Sequence, residues 1–428
     1  MPEFLTLLPP DDARALLFSR LPPPKIDSEL IEASSSLDRI LAEDIIAPHP
    51  LPEFQRTTVD GYAVRARDTY GVSDSLPAYL TLIGEVPMGD APAFELEAGQ
   101  CALIHTGGML PDGADSVVML EYTQQIRRDG QLPIPAHDIE IFRAVADGEN
   151  VIGIGEDVAK GQLVQAKGSL MRPAEIGGLL ALGITSVHVA NKIRVGLIST
   201  GDEVIDPAQV PRPGQVRDVN SYTLSALIEK NGGVAHRYGI ITDQFEALQS
   251  AAAKALDECD LVLITAGSSA STRDMTANVI GSLGPPGVLV HGINTRPGKP
   301  TILGVCNGKA VIGLPGNPVS ALVNGYLFVI PVIEKLLGST PHPRATLQAK
   351  LTVNLSSQAG REDWWPVKLR ASPFPSGRGA GSEGAFQAEP IFGKSNLIFT
   401  LASADGLLRI QPDATGLSTG EMVEVILI

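Results

Sequence analysis

The chain has 428 residues, and its 44 Gly and 33 Pro make about 18 % of it, against ~12 % in ordinary globular proteins. That excess is spread along the sequence, which predicts many turns and short elements and excludes a coiled-coil or long-helix protein. A hydrophobic content of 44 % excludes wholesale disorder, and a net charge of −15 argues against nucleic-acid binding, since such a surface repels a phosphate backbone.

In chain order, residues 1–51 read as helical. Asp11–Arg20 is amphipathic, and a second helix is expected from Ser28 to Ile46, after the Pro22-Pro23-Pro24 break. Glu3, Asp11, Asp12 and Arg14 interrupt the first twenty residues, so no secretory hydrophobic segment is expected there. Residues 52–144 shorten to strands such as Tyr79–Gly84, Gln100–Thr106 and Ser116–Leu120, separated by Gly- and Pro-rich turns. Residues 145–190 are turn-rich and then helical from Pro173 to Leu182, with Gly183 where a C-cap is expected. This stretch reads as a return to the N-terminal segment, which makes the β-rich zone an insertion in a helical and extended linker domain.

Residues 191–338 alternate between strands and helices. Strands are expected at Arg194–Ser199, Val234–Ile240, Asp260–Thr265 and Lys309–Leu314, with helices at Ser221–Lys230, Phe245–Glu258, Asp274–Leu283 and Pro318–Leu337. Runs such as Leu261–Ile264 suit strands buried on both faces, and the alternation predicts a central parallel-sheet α/β domain. The most apolar stretch, Gly325–Leu337, is broken by Pro331, Glu334 and Lys335 short of a membrane span. Residues 339–428 return to short strands and read as a small C-terminal β domain. The cysteines, Cys101, Cys259 and Cys306, are odd in number and far apart, which speaks against a disulfide framework and favours a cytoplasmic protein.

Ligands of an open parallel sheet sit at the carboxyl ends of its strands, and four unusual loops fall there. Ser199-Thr200-Gly201-Asp202-Glu203 ends an apolar strand with two adjacent carboxylates. Thr265 to Asp274 is rich in Gly and Ser, which lets backbone N–H groups approach an anion, but it lacks Walker spacing; a flexible connector is the alternative. Arg296-Pro297-Gly298-Lys299-Pro300 holds two cations in a stiff turn, which favours an oxyanion contact over a plain hairpin. Gly313 to Ala321 places Asn317 as N-cap and Pro318 at the first helical position, with Ser320 one turn in. Outside this zone, Asp60-Gly61-Tyr62 forms an acidic turn, and Gly153-Ile154-Gly155-Glu156-Asp157 offers hard oxygen ligands that suit Mg²⁺. No histidine has zinc-site spacing, and no nucleophile elbow is present.

In order, "DGYAV" (Asp60–Val64), "HTGGMLPDGADSVVMLE" (His105–Glu121), "GEDVAKGQ" (Gly155–Gln162), "STGDEV" (Ser199–Val204), "RDVNSYTL" (Arg217–Leu224), "RPGKPTILG" (Arg296–Gly304) and "GLPGNPVSAL" (Gly313–Leu322) resemble the molybdopterin molybdenumtransferases, MoeA in bacteria and the gephyrin E domain in animals. The C-terminal "GKSNLIFTLASADGLLRI" (Gly393–Ile410) fits as well. The resemblance implies a multidomain fold: a linker domain (1–51 and 145–190), an inserted β-rich domain (52–144), an α/β molybdopterin-binding domain (191–338) and a C-terminal β-barrel-like domain (339–428). It implies a homodimer whose active cleft lies between subunits. The implied reaction is insertion of molybdate into adenylylated molybdopterin with Mg²⁺, releasing AMP. Molybdopterin adenylyltransferase, which makes that substrate, is an implied partner.

Carried over residue by residue, Asp60, Thr106, Asp157, Glu203, Asp243, Asp274 and Lys299 match positions the family uses in its cleft. Asp60, Asp157, Glu203 and Asp274 are the expected catalytic residues, the last three as Mg²⁺ ligands. Thr106, Asp243, Gly267, Ser268, Ser269, Ser271, Arg296, Lys299, Gly316, Asn317 and Ser320 are expected to bind substrate. The chain departs from the family at Val59, where Met is usual, at Arg296, where Lys is usual, and in the loop Ala266–Asp274, which has lost a glycine and gained Arg273. Two alternatives remain at this level. An adenylyltransferase shares the α/β domain but lacks the other domains, and a non-catalytic cofactor-binding scaffold would fit a decayed Ser-rich loop but not the retained carboxylates.

Overall fold

In the computed structural model, residues 7–127, 137–266, 270–371 and 386–428 are described. The α/β region is built on a six-stranded sheet in the order Gly233–Ile241, Ile193–Thr200, Leu261–Ala266, Lys309–Pro315, Ile302–Cys306, Pro286–His291. The first four strands are parallel, as the strand–helix alternation predicts. The last two are antiparallel and were not expected from the sequence. They lie at one edge and are joined to each other by the Pro-Gly loop. Ile302 pairs with both Gly313 and His291, so this loop emerges at the same edge as the carboxyl ends of Ile193–Thr200, Leu261–Ala266 and Lys309–Pro315.

Every residue of Leu261–Ala266 and Ile302–Cys306 is buried, because helices cover both sheet faces. The helix Pro10–Arg20 adds Ala13 and Leu17 to this core. The Pro318–Leu337 segment is long and apolar enough to cross a membrane, yet about two thirds of its most apolar stretch is buried inside the protein. It is a core helix, and Phe328, Val329, Val332 and Ile333 are fully buried in the main cluster. A π-turn at Gly325–Val329 interrupts it just before Pro331, whose ring cannot donate to the preceding turn. The loosened carbonyls find other donors: Tyr326 accepts from Arg344 Nη2 at 2.9 Å and Leu327 from Arg14 Nη1 at 3.5 Å.

The N-terminal segment corrects one expectation. Ser28–Glu32 is a strand followed by a 3₁₀ turn at Ala33–Ser35, not the start of a helix to Ile46. The strand pairs antiparallel with Ser186–Ala190, and Ile45–Ile46 pairs with Leu163–Gln165. Partners some 120 to 160 residues away decide this conformation over local helix propensity. The helix Pro173–Ala181 ends as expected, with Gly183 at φ 67°.

Between these halves lies a six-stranded sheet ordered Ser116–Met119, Gly61–Val64, Gln100–Ile104, Ala78–Glu85, His137–Ile141, Thr123–Arg127. Gly61 is required there, since a Cβ would fall 2.0 Å from the Val118 carbonyl oxygen. The C-terminal region closes a five-stranded barrel through Glu362–Ala371, Phe386–Pro390, Thr346–Leu351, Met422–Leu427 and Gly406–Ile410, the last pairing back to the first. Thr295–Arg296 extends this barrel sheet by pairing in parallel with Glu362 and Asp363. That pairing fastens the α/β domain's cationic loop to the barrel.

Candidate functional site

A cleft of about 680 Å³ opens where the Pro-Gly loop and the start of the helix Pro318–Asn324 face the barrel. It gathers Arg296, Lys299, Asn317 and Ser320, which the sequence placed in separate loops. The barrel adds residues to which the sequence reading gave no role: Arg361, Asp363, Trp364 and Trp365 from one strand region, and Lys394, Ser395 and Asn396 from the loop after Phe386–Pro390. The signal that could have found the second group is "GKSN", a Lys-Ser-Asn turn like the phosphate-friendly turns of the α/β zone. Among the described lining residues, four cations face one carboxylate, Asp363.

Several constraints shape the cationic loop. The Arg296–Pro297 bond is cis and Gly298 has φ 105°, a region that favours glycine. A Cβ on Gly298 would meet Asn324 Nδ2 at 1.6 Å. The Gly298 carbonyl accepts from Thr301 Oγ1 at 2.8 Å, and the Lys299 carbonyl accepts from the Ile293 N–H at 2.8 Å. The backbone is therefore fixed while the Arg296 and Lys299 side chains stay exposed to the cleft.

Asn317 occupies the N-cap position, but its side chain does not cap. It donates instead to Ser395 Oγ at 3.1 Å, and the Val319 N–H donates to the Ser395 carbonyl at 3.0 Å. The helix start is thus plugged by the barrel loop rather than left open to an anion. Gly316 is also held, its carbonyl accepting from Asn220 Nδ2 at 2.8 Å.

A second group lies farther along the same sheet edge. Thr200 Oγ1 donates to Asp243 Oδ1 at 2.5 Å, and the Asp243 N–H donates to Asp202 Oδ1 at 3.3 Å. Glu203 follows, its carboxylate folded over Gly201, where a Cβ would sit 2.8 Å from Oε2. Asp274 is exposed and stands one turn inside the helix Ala270–Ser282, which begins four residues earlier than expected. Gly267, Ser268 and Ser269 lie outside the described residues, as does the side chain of Ser271.

The third group belongs to the inserted sheet. Asp60 accepts from the Thr106 N–H at 2.8 Å and from Thr106 Oγ1 at 3.2 Å. These bonds, the backbone one foremost, hold its carboxyl below the ordinary carboxylate range, with His105 adding to the effect. His105 Nδ1 stands 3.7 Å from Asp60, and Nε2 lies 3.1 Å from Glu85 Oε1. Asp157 is exposed in a turn of the linker domain, its N–H donating to the Leu51 carbonyl. The neighbouring Glu156 carboxylate is spent on the Gly153 N–H at 2.7 Å. Among the described residues, none that lines the cationic cleft comes from the inserted sheet or from the Asp157 turn.

The carboxylates expected to hold Mg²⁺, Asp157, Glu203 and Asp274, are therefore not gathered in one chain. Among the described residues, no three His, Cys, Asp or Glu side chains group as a metal cage. Mg²⁺ commonly takes one or two carboxylates and completes its shell with water and substrate phosphates. Asp202, Glu203 and Asp243 offer carboxylates of that kind at the strand ends. The three cysteines are buried free thiols, and burial pushes Cys101 up to about 12 and Cys306 up to about 11.

Comparison with known proteins accounts for most of the chain. Residues 8–183 match the MoeA N-terminal region (domain I and II), 196–335 a "Probable molybdopterin binding domain" and 348–428 the MoeA C-terminal region (domain IV). A molybdopterin molybdenumtransferase of Haemophilus influenzae is 31 % identical over 97 % of both chains. One from Bacillus subtilis is 31 % identical over 94 % of this chain and 90 % of its own. The crystal structure of a molybdopterin biosynthesis MoeA protein from Pyrococcus horikoshii superposes with a TM-score of 0.82 at 32 % identity, covering 99 % of this chain and 100 % of that one. With all three regions present in order over nearly the full length, the chain belongs to the MoeA family.

Proposed function

We propose that the protein is a molybdopterin molybdenumtransferase, inserting molybdate into adenylylated molybdopterin with release of AMP. The name is that of its bacterial relatives, and the observation that carries the reading is the cationic cleft. Arg296, Lys299, Arg361 and Lys394 surround a space that Asn317, Ser320 and Ser395 line with polar groups, which suits a tetrahedral dianion such as molybdate. Trp365 supplies a flat apolar wall for a pterin beside it.

In the reaction, water or a molybdate oxygen attacks phosphorus, the phosphoanhydride bond breaks and AMP leaves. Lys299 and Arg296 would stabilise negative charge developing on the phosphoryl oxygens. Thr200, Asp243 and Glu203 stand at the strand ends where the nucleotide phosphates would lie, with Asp274 on the helix that follows Leu261–Ala266. Mg²⁺ brought with the pyrophosphate would be held by Glu203 and Asp243 and would neutralise phosphate charge. Asp60, kept ionised by Thr106, would orient the attacking group rather than act as a strong base.

Asp60 and Thr106 belong to a different sheet from the cleft, and Asp157 to the linker. A homodimer pairing the inserted domain of one subunit with the α/β edge of the other would bring them together. A cytoplasmic location fits the buried thiols, and molybdopterin adenylyltransferase would be the natural supplier of substrate. Purified protein incubated with adenylylated molybdopterin, Mg²⁺ and molybdate should release AMP and form molybdenum cofactor. Absence of molybdate-dependent AMP release from folded protein would exclude the transferase.

A further inference from the structure

Asp363 and Trp365 share one face at the start of the strand Glu362–Ala371, Arg361 stands just before it, and all three line the cationic cleft. Glu362, one residue over, serves the opposite side, where Arg409 and Trp364 Nε1 satisfy it. Asp363 is fully buried. Its two oxygens take a bidentate bond from Arg361, Nε to Oδ1 at 2.7 Å and Nη2 to Oδ2 at 3.0 Å. Arg296 Nη1 lies 3.9 Å from the same Oδ2, brought there by the parallel pairing of Thr295–Arg296 with Glu362–Asp363. The Arg296 guanidinium also sits 5.4 Å from the centre of the Trp365 ring.

We infer that Asp363 is the positioning residue of the anion cleft: its carboxylate orients Arg361 and Arg296 as a guanidinium pair directed at a bound tetrahedral dianion. It does not touch the anion, and as the cleft's lone carboxylate it would by charge alone weaken anion binding. Arg296 carries five donors on a long stem, and Asp363 with Trp365 restricts where they point. Arg361 is fixed on Asp363 through its Nε and Nη2, while Nη1 donates to the Gln358 Oε1 at 3.4 Å in an exposed contact that an anion can replace. Two guanidiniums already ordered lose less freedom on binding than two solvated ones. A lysine at position 296 would have no planar fork to be oriented this way.

This inference rests on the cleft being the molybdate site, and the test separates the two claims. Calorimetric titration with sodium molybdate at fixed ionic strength would be run on the wild-type protein, Asp363→Asn, Arg361→Lys and the double variant, with circular dichroism as the fold check. Positioning predicts that Asp363→Asn, although it removes a negative charge, weakens molybdate binding about tenfold. Arg361→Lys should do the same, and the double variant should be no worse than the weaker single one, because the two act as a unit. In turnover, the KM for molybdate should rise more than kcat falls. Unchanged or tighter binding by folded Asp363→Asn would overturn the inference. If that variant does not fold, unchanged binding by Arg361→Lys would overturn it. No binding to the folded wild-type protein would instead overturn the assignment of the cleft to molybdate.

Discussion

At the scale of single residues, the Asp60–Thr106 pair shows what sequence can and cannot supply. Asp60 was legible as a site candidate through an acidic Gly turn and Thr106 through the family resemblance of the His105–Glu121 motif, but their mutual bonding depends on the antiparallel pairing of Gly61 with Ile104. That pairing sets Asp60 beside Thr106, and two hydrogen bonds favour the charged carboxylate. The sign follows directly: removing a donor raises the pKa toward the ordinary value. Thr106→Val deletes the hydroxyl bond and keeps the backbone one, so the Asp60 carboxyl should titrate at higher pH than in wild type but still below the ordinary range. Carbon-detected NMR titration of the side chain reads this, and an unchanged titration would show that Oγ1 contributes nothing. The barrel residues Arg361 and Lys394 were missed for a complementary reason. A solvated Arg carries no local mark, and the pairing of positions 295–296 with 362–363 makes Arg361 part of a site, whereas Lys394 lay in the "GKSN" turn whose loop plugs the helix start at Val319.

Among elements, those with strong local patterns were read well. Strands buried on both faces and the helices Asn220–Lys230 and Phe245–Glu258 lie where the apolar patterns put them, within a residue or so. The segment from Ser28 to Ile46 failed because its apolar positions face separate distant strands, which no helical period encodes. The edge strand Pro286–His291 and its neighbour Ile302–Cys306 were passed over because a short apolar run between Gly and Pro gives no direction. The cationic loop is the element on which the site depends most. Gly298→Ala must displace Asn324, whose Nδ2 donates to the Ser320 carbonyl at 2.8 Å, and must also hold a positive φ. The substitution should destabilise the protein by about 1–3 kcal/mol, measured by denaturant unfolding. It should also disturb Ser320 and lower transferase activity more than stability alone accounts for. Wild-type stability and activity would mean that the loop is free to rearrange.

For the whole molecule, the functional groups are distributed over four regions, the α/β edge, the barrel, the inserted sheet and the linker, and among the described residues the cationic cleft joins the first two. If the inserted domain of a partner completes the site, Asp60→Asn and Lys299→Ala should each be inactive alone yet complement when mixed and allowed to exchange. A mixed dimer then keeps one intact site of two, so an equal mixture should recover about a quarter of wild-type activity. No recovery despite demonstrated exchange would place Asp60 and Lys299 in the same chain's site. The most direct test of the central claim is the molybdate dependence of AMP release from adenylylated molybdopterin, compared between wild type and Lys299→Ala. The cleft predicts saturable, molybdate-dependent release by wild type and a KM for molybdate at least tenfold higher in the variant. AMP release that ignores molybdate, or a variant with wild-type molybdate dependence, would contradict the assignment.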